Sequence, residues 1–92
     1  MQHRLHTVVL AGALLAVGCT PSPERLCDRK MKLAEQQWGK MDPQTHAAGR
    51  KNCLDEARKL KAANPNRYAC AAACVTDSRN LLDAADCDAK CP

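Results

Sequence analysis

The segments CAAAC, residues 70–74, and CDAKC, residues 87–91, decide how this chain is read. Each is a Cys-x-x-x-Cys unit, and twelve residues separate them. On a helix, positions i and i+4 share a face, so two such helices folded antiparallel bring two cysteines on each into register. Cys70 then meets Cys91 and Cys74 meets Cys87, as nested pairs centred between Asn80 and Leu81. Alanines at 69, 71, 72, 73, 84, 85 and 89 permit the close approach a disulfide requires, with alpha carbons roughly 4.4 to 6.8 Å apart. Cys27 with Cys53 completes the set. Six cysteines nonetheless allow many pairings, and spacing alone does not choose among them.

Outward from this hairpin, one start signal occurs three times. Ser22-Pro23, Asp42-Pro43 and Asn64-Pro65 each place a capping side chain before a proline. Proline is tolerated at the first helical position because its missing N–H has no intrahelical partner there. The signals predict helices from Pro23 to near Gly39, from Pro43 to about Ala63, and from Pro65 to the polar break Asp77-Ser78-Arg79-Asn80. A short fourth helix is predicted from Leu81 to about Lys90. On the first, Cys27, Met31, Ala34, Trp38 and Met41 recur at steps of four and three and form an apolar stripe. The second offers Ala47, Cys53, Leu54, Ala57 and Leu60, the third Tyr68, Cys70, Ala73 and Cys74, and the fourth Leu81, Ala84, Cys87 and Cys91. No run alternates with the period of a strand. The expected fold is all-α: a small disulfide-stapled bundle of three to four short helices over residues 23–92, with loops of a few residues.

Composition explains why staples are needed. The 92-residue chain holds one tryptophan, one tyrosine and no phenylalanine, so the large side chains that supply burial area are nearly absent. Burial alone is not expected to offset the chain entropy of so small a domain. Disulfides are the ordinary remedy, and they require an oxidising compartment. Reduction is therefore expected to lower the melting temperature sharply, with Trp38 reporting the loss by its fluorescence.

The N-terminus supplies an export signal. MQHRLH is mildly basic, and the uncharged run TVVLAGALLAV that follows is too short to span a bilayer, which takes about 20 apolar residues. AVGC, residues 16–19 after Leu14 and Leu15, resembles the lipobox of bacterial lipoproteins, with Ala16 where that motif most often has leucine. The resemblance implies that the Cys19 thiol receives a diacylglyceryl group and that signal peptidase II cuts just before it. It also accounts for an odd total of seven cysteines, since six remain to close in pairs. Residues 1–18 are then a lipoprotein signal peptide, 19–22 a lipid anchor and short tether, and 23–92 a cysteine-rich helical domain. Two or three acyl chains hold a protein where one does not, each buried methylene contributing about 0.8 kcal/mol. Thr20 stands where an aspartate often retains such lipoproteins in the inner membrane, so the expected location is the outer membrane of a bacterial envelope.

The twin Cys-x-x-x-Cys units resemble the helical hairpins of the small translocase chaperones of the mitochondrial intermembrane space. The resemblance covers residues 70–91 and implies the nested pairing. Those chaperones extend long helices beyond the outer cysteines to hold clients, and Cys91 stands next to the last residue given, so no client-binding activity is expected from it.

Other chemistry finds little material. Zinc is the competing use of four such cysteines, but in an oxidising compartment thiols are lost to disulfides first, and no metal or other cofactor is expected beyond the covalent lipid. Neither Cys-x-x-Cys nor Cys-x-x-Cys-His occurs, which removes thioredoxin-like redox chemistry and haem attachment. His3 and His6 leave with the signal, so His46 is the one remaining imidazole and is read as surface or half-buried. Asp83, Asp86 and Asp88 lack the order of a calcium loop. No enzyme activity is expected.

Charge is uneven. Residues 25–67 carry eleven Lys and Arg against five Asp and Glu, and residues 68–92 carry two against four. Arg50, Lys51, Arg58, Lys59 and Lys61 on the second helix form the candidate surface for lipid or a partner, alongside Arg29, Lys30 and Lys32 on the first. The plainer reading is a solubilising face in which Asp55 pairs with Arg58 and Lys59. Nucleic acid is not an expected partner, because no aromatic residues are interleaved to stack bases. Two functions stay open: a tethered structural or interaction module that binds another envelope protein, and a ligand-binding lipoprotein that takes metal through cysteine thiolates or anionic lipid through its basic helices.

Overall fold

The structure, a computed structural model, describes residues 20–92. The apolar N-terminal run and Cys19 lie outside the described residues. Five helices follow one another: α1 (Pro23–Trp38), α2 (Pro43–Ala63), α3 (Pro65–Asp77), α4 (Leu81–Ala85) and α5 (Cys87–Lys90). The described residues contain no strand. The chain is a small all-α, disulfide-stapled domain.

Each start signal acts as its chemistry dictates. The side chains of Ser22, Asp42 and Asn64 accept hydrogen bonds from the backbone N–H groups of Arg25, Thr45 and Arg67 at 3.2, 3.1 and 3.1 Å. Asn80 does the same for Asp83 at 2.9 Å and starts α4 without a proline. Asn64 also closes α2, its N–H donating to the Leu60 carbonyl at 2.7 Å, so one residue ends a helix and begins the next. At the other turn Gly39 leaves α1 with φ 91° and ψ 174°, backbone that only glycine adopts without strain.

Cross-helix contacts set the order of the bundle. Cys27 is bonded to Cys53, Asp28 pairs with Arg50, Glu24 pairs with Arg58, and Met31 lies against Gly49. Each step forward on α1 is thus matched by a step back on α2, and the two are antiparallel. Pro21 meets Tyr68 and Arg29 meets Ser78, so α1 and α3 run in the same direction. Cys70–Cys91 and Cys74–Cys87 return α4 and α5 against α3. The result is an up-down-up-down arrangement around Leu26, Cys27, Leu33, Leu54, Ala57, Tyr68, Ala72, Val75 and Cys87.

Several expectations about faces fail. Trp38 is 74% exposed, not part of the apolar stripe. It occupies the last residue of α1, and the buried face of that helix is carried by Leu26, Cys27, Met31 and Leu33. Because α1 packs against α2, α3 and α4, that face is broader than one helical stripe. Ala47 is exposed in the first turns of α2, far from the level at which Leu54 and Ala57 enter the core. On α3, Ala73 and Cys70 are exposed and the core face is Tyr68, Ala72 and Val75, at spacings of four and three. The cysteines of α3 sit beside that face, turned to α4 and α5. The last helix is two short ones: Asp86, at φ −75° and ψ −10°, makes a turn between them.

Candidate functional site

The segment that enters α1 is seated in the domain from its first described residues. Thr20 is exposed, but Pro21 and Pro23 are buried. Tyr68, 1% exposed on the first turn of α3, donates its hydroxyl to the Pro21 carbonyl at 2.8 Å. Burial, with the Glu24 charge nearby, raises the pKa of this phenol above its ordinary value of 10.0 and keeps it a donor. Lys61 on the last turn of α2 lies over the Tyr68 ring, its Nζ 5.6 Å from the centroid, a cation–π distance. α1, α2 and α3 therefore meet where the chain comes in.

The five basic residues expected on α2 are divided by their partners. Arg50 donates from Nε to Asp28 at 2.8 Å, and that hydrogen bond with the carboxylate charge raises its pKa still further. Arg58 reaches Glu24 at 3.2 Å across the α1–α2 interface, not Asp55 on its own helix. Glu24 is held below its ordinary pKa first by its own backbone N–H, as befits the first turn of a helix, and then by Arg58. Lys51, Lys59 and Lys61 are exposed. From Arg50 to Lys59 α2 rises about 14 Å, so the five are spread along the helix.

All six cysteines of the described region are joined. The pairs are Cys27–Cys53, Cys70–Cys91 and Cys74–Cys87, with alpha carbons 5.8, 5.7 and 5.8 Å apart. Cys70–Cys91 and Cys74–Cys87 are the nested pairs that helical spacing offers, and Cys27–Cys53 is the pair left over. In this state Cys70, Cys74, Cys87 and Cys91 offer no thiolate to a metal. Among the described residues no three His, Cys, Asp or Glu side chains gather closely enough to hold one. His46 is half-buried near the start of α2, and Asp83, Asp86 and Asp88 are exposed.

One arrangement was not legible in the sequence. Arg29, half-buried on α1, donates from Nη2 to the Ser78 carbonyl at 2.7 Å and so satisfies the C-terminal end of α3. Ser78, 6% exposed, turns its hydroxyl back to the Cys74 carbonyl at 2.8 Å, with the sulfur of Cys87 3.9 Å away. Within the polar break Ser78 is thus buried beside a disulfide, while Asp77, Arg79 and Asn80 are exposed. The only sequence signal of this burial is a serine directly after the helix. Between α1, α2, α3 and α4 an open cleft of about 530 Å³ is walled mainly by Leu26, Ala57, Leu60, Val75 and Leu81. Lys30, Glu56 and Asp88 also line it but make no hydrogen bond to one another, so it has no organised polar set.

Among the described residues no helix is long and apolar enough to cross a membrane. Comparison with protein-family models, with curated proteins and with solved structures finds no match to this chain.

Proposed function

We propose that this protein is a lipid-anchored bacterial envelope protein whose helical domain serves as a structural or protein-interaction module. The observation that carries the reading is the cysteine ledger. Three disulfides consume all six cysteines of the described domain, and the seventh, Cys19, stands alone behind an apolar run in the sequence AVGC. A lipobox cysteine is alkylated and so withdrawn from disulfide exchange, which leaves the even set free to close. Nothing else in the domain calls for a seventh thiol. With Thr20 next to the anchor in place of aspartate, the outer membrane is the proposed destination.

The interaction role draws on two exposed side chains. Trp38 and Leu82 are 74% and 77% exposed, and both lie away from the end where the chain enters: Trp38 closes α1, and Leu82 sits at the start of the helix that returns along α3. A solvent-exposed tryptophan is a common anchor at protein interfaces. No catalytic activity is assigned.

Metabolic labelling with a fatty-acid analogue tests the anchor. Wild type takes up label, and Cys19→Ser accumulates as unlabelled, uncut precursor; equal labelling of the two overturns the proposal. Crosslinking in intact cells tests the interaction role, with Trp38→Ala expected to remove a captured envelope protein that wild type retains.

A further inference from the structure

We infer that the domain stands end-on to the bilayer, with the α2–α3 corner in contact with anionic lipid headgroups. The inference rests on the proposed lipid on Cys19 and specifies which surface that lipid brings to the membrane. Two observations support it: helix register and the distribution of charge along the bundle.

The register of α1 against α2 is fixed by Cys27–Cys53, Asp28–Arg50, Glu24–Arg58 and Met31 against Gly49. Carried back along α1, it sets Pro21 level with Lys59. α2 continues to Ala63, so it passes the point of chain entry by four residues, about 6 Å at the rise of a helix. Pro21 is buried and held by Tyr68, leaving only exposed Thr20 between it and Cys19. A lipid on Cys19 therefore has no slack with which to lift the domain away. The corner formed by the end of α2 and the start of α3 is at the level of the headgroups.

This end is basic. Arg25, Lys59, Lys61 and Arg67 are exposed there, and Lys90 joins them because Cys91 is bonded to Cys70. Of the carboxylates near this end, Glu24 is already paired with Arg58, Asp55 and Glu56 lie level with Arg25 and Glu24, and Asp88 lies about one turn above Cys91, while residues 57–76, which form the corner itself, contain no Asp or Glu. Asp77 and Asp83 lie level with Arg29 and Arg50, midway along α1 and α2, where Lys30, Lys51 and Arg79 are also exposed, and Asp42 stands at the far end with Lys40 exposed beside it. The outermost turn at this end thus presents Lys59, Lys61 and Arg67 with no carboxylate among them, which suits an anionic surface. Arg50, a candidate in the sequence, is paired with Asp28 and lies about 14 Å above Lys59.

The test uses the mature full-length protein in vesicles of equal parts phosphatidylcholine and phosphatidylglycerol, with a nitroxide quencher on the headgroup. Native Trp38 is expected to escape quenching. A variant with Trp38→Phe and Ala62→Trp, both exposed sites, is expected to be strongly quenched. Replacing the anionic lipid with phosphatidylcholine, or adding Lys59→Gln and Lys61→Gln, should weaken corner contact about fivefold per cation lost, while the acyl anchor keeps the protein on the vesicle. Mass spectrometry of the same sample reads the acyl group on Cys19, and its absence overturns the anchor and the orientation together. With the acyl group present, stronger quenching of Trp38 than of the indole introduced at position 62 overturns the orientation alone. Equal quenching in neutral and anionic vesicles overturns the headgroup contact.

Discussion

The hydroxyl of Tyr68 donates a 2.8 Å hydrogen bond to the carbonyl of Pro21, 47 residues earlier, and closes the helical domain on the segment that leads into it. Tyr68→Phe keeps the ring and removes this one donor, leaving a buried carbonyl unpaired. The expected loss is about 1 to 3 kcal/mol in unfolding free energy, measured by denaturant titration. Hydrogen exchange should rise at the start of α1 and stay unchanged in α4 and α5.

The same phenol gives an alkaline limit. Its pKa is raised in the folded state by burial, then by Glu24, so the neutral form is favoured by folding. Stability from this group is full below the unfolded value of about 10 and is lost as pH rises through the higher folded value. Because the chain has a single tyrosine, absorbance of tyrosinate near the alkaline transition reports this site alone. The titration should be cooperative with unfolding and should vanish in Tyr68→Phe.

Reduction is expected to lower the melting temperature or abolish the cooperative transition, but Trp38 will not report it. At 74% exposure the indole is already in water, so its emission should shift little on unfolding, and circular dichroism or the buried Tyr68 is the useful probe. The three bridges should differ. Cys27–Cys53 closes 26 residues and alone ties α1 to α2, with about 3.5 kcal/mol expected from loop entropy. Cys74–Cys87, at 13 residues, lies inside the loop of Cys70–Cys91, so paired alanine replacement of either nested bridge should cost less. Equal losses for all three pairs would contradict this.

At low pH the carboxylates of Asp42 and Glu24 come into play. Asp42 is held below its ordinary pKa first by the Thr45 hydroxyl and then by the Thr45 N–H, and Glu24 by its own N–H and Arg58. Depressed folded values mean that their contribution is present above the unfolded pKa of about 4 and is lost as pH falls through the folded values. Melting temperature should therefore be flat near neutrality and decline below about pH 4. Asp42→Asn retains an acceptor for Thr45 and should reduce the acid slope without a comparable loss at neutral pH.

Arg29→Met removes the donor to the Ser78 carbonyl while keeping much of the aliphatic packing. About 1.5 to 3 kcal/mol is expected, the range for a hydrogen bond to a charged group, with α3 fraying at Asp77 in hydrogen exchange.

What was legible in the sequence was local or periodic. A capping side chain followed by proline is a short-range device, and Ser22, Asp42 and Asn64 all cap the helices they precede. Cysteines four apart on a helix restrict which partner helix they can face, and the hairpin at residues 70–91 follows from that. The inward faces were less legible, because a periodic count assumes one neighbour per helix. α1 has three, so Leu26 and Leu33 are buried outside the stripe drawn through Cys27, and Trp38 at its end is exposed. The contacts at the chain entry were hidden for another reason: Tyr68 with Pro21 and Arg29 with Ser78 join residues 47 and 49 positions apart, and no local pattern encodes them.

The covalent cross-links also set a timetable. Two of them join different helices and the third joins α3 to the residue that ends α5, and the apolar face they hold together contains one tyrosine and no other aromatic residue. While its thiols remain reduced, such a chain has little to oppose its own conformational entropy and stays open. Forming the cross-links ends that open state, so the redox potential around the chain determines when it acquires its shape.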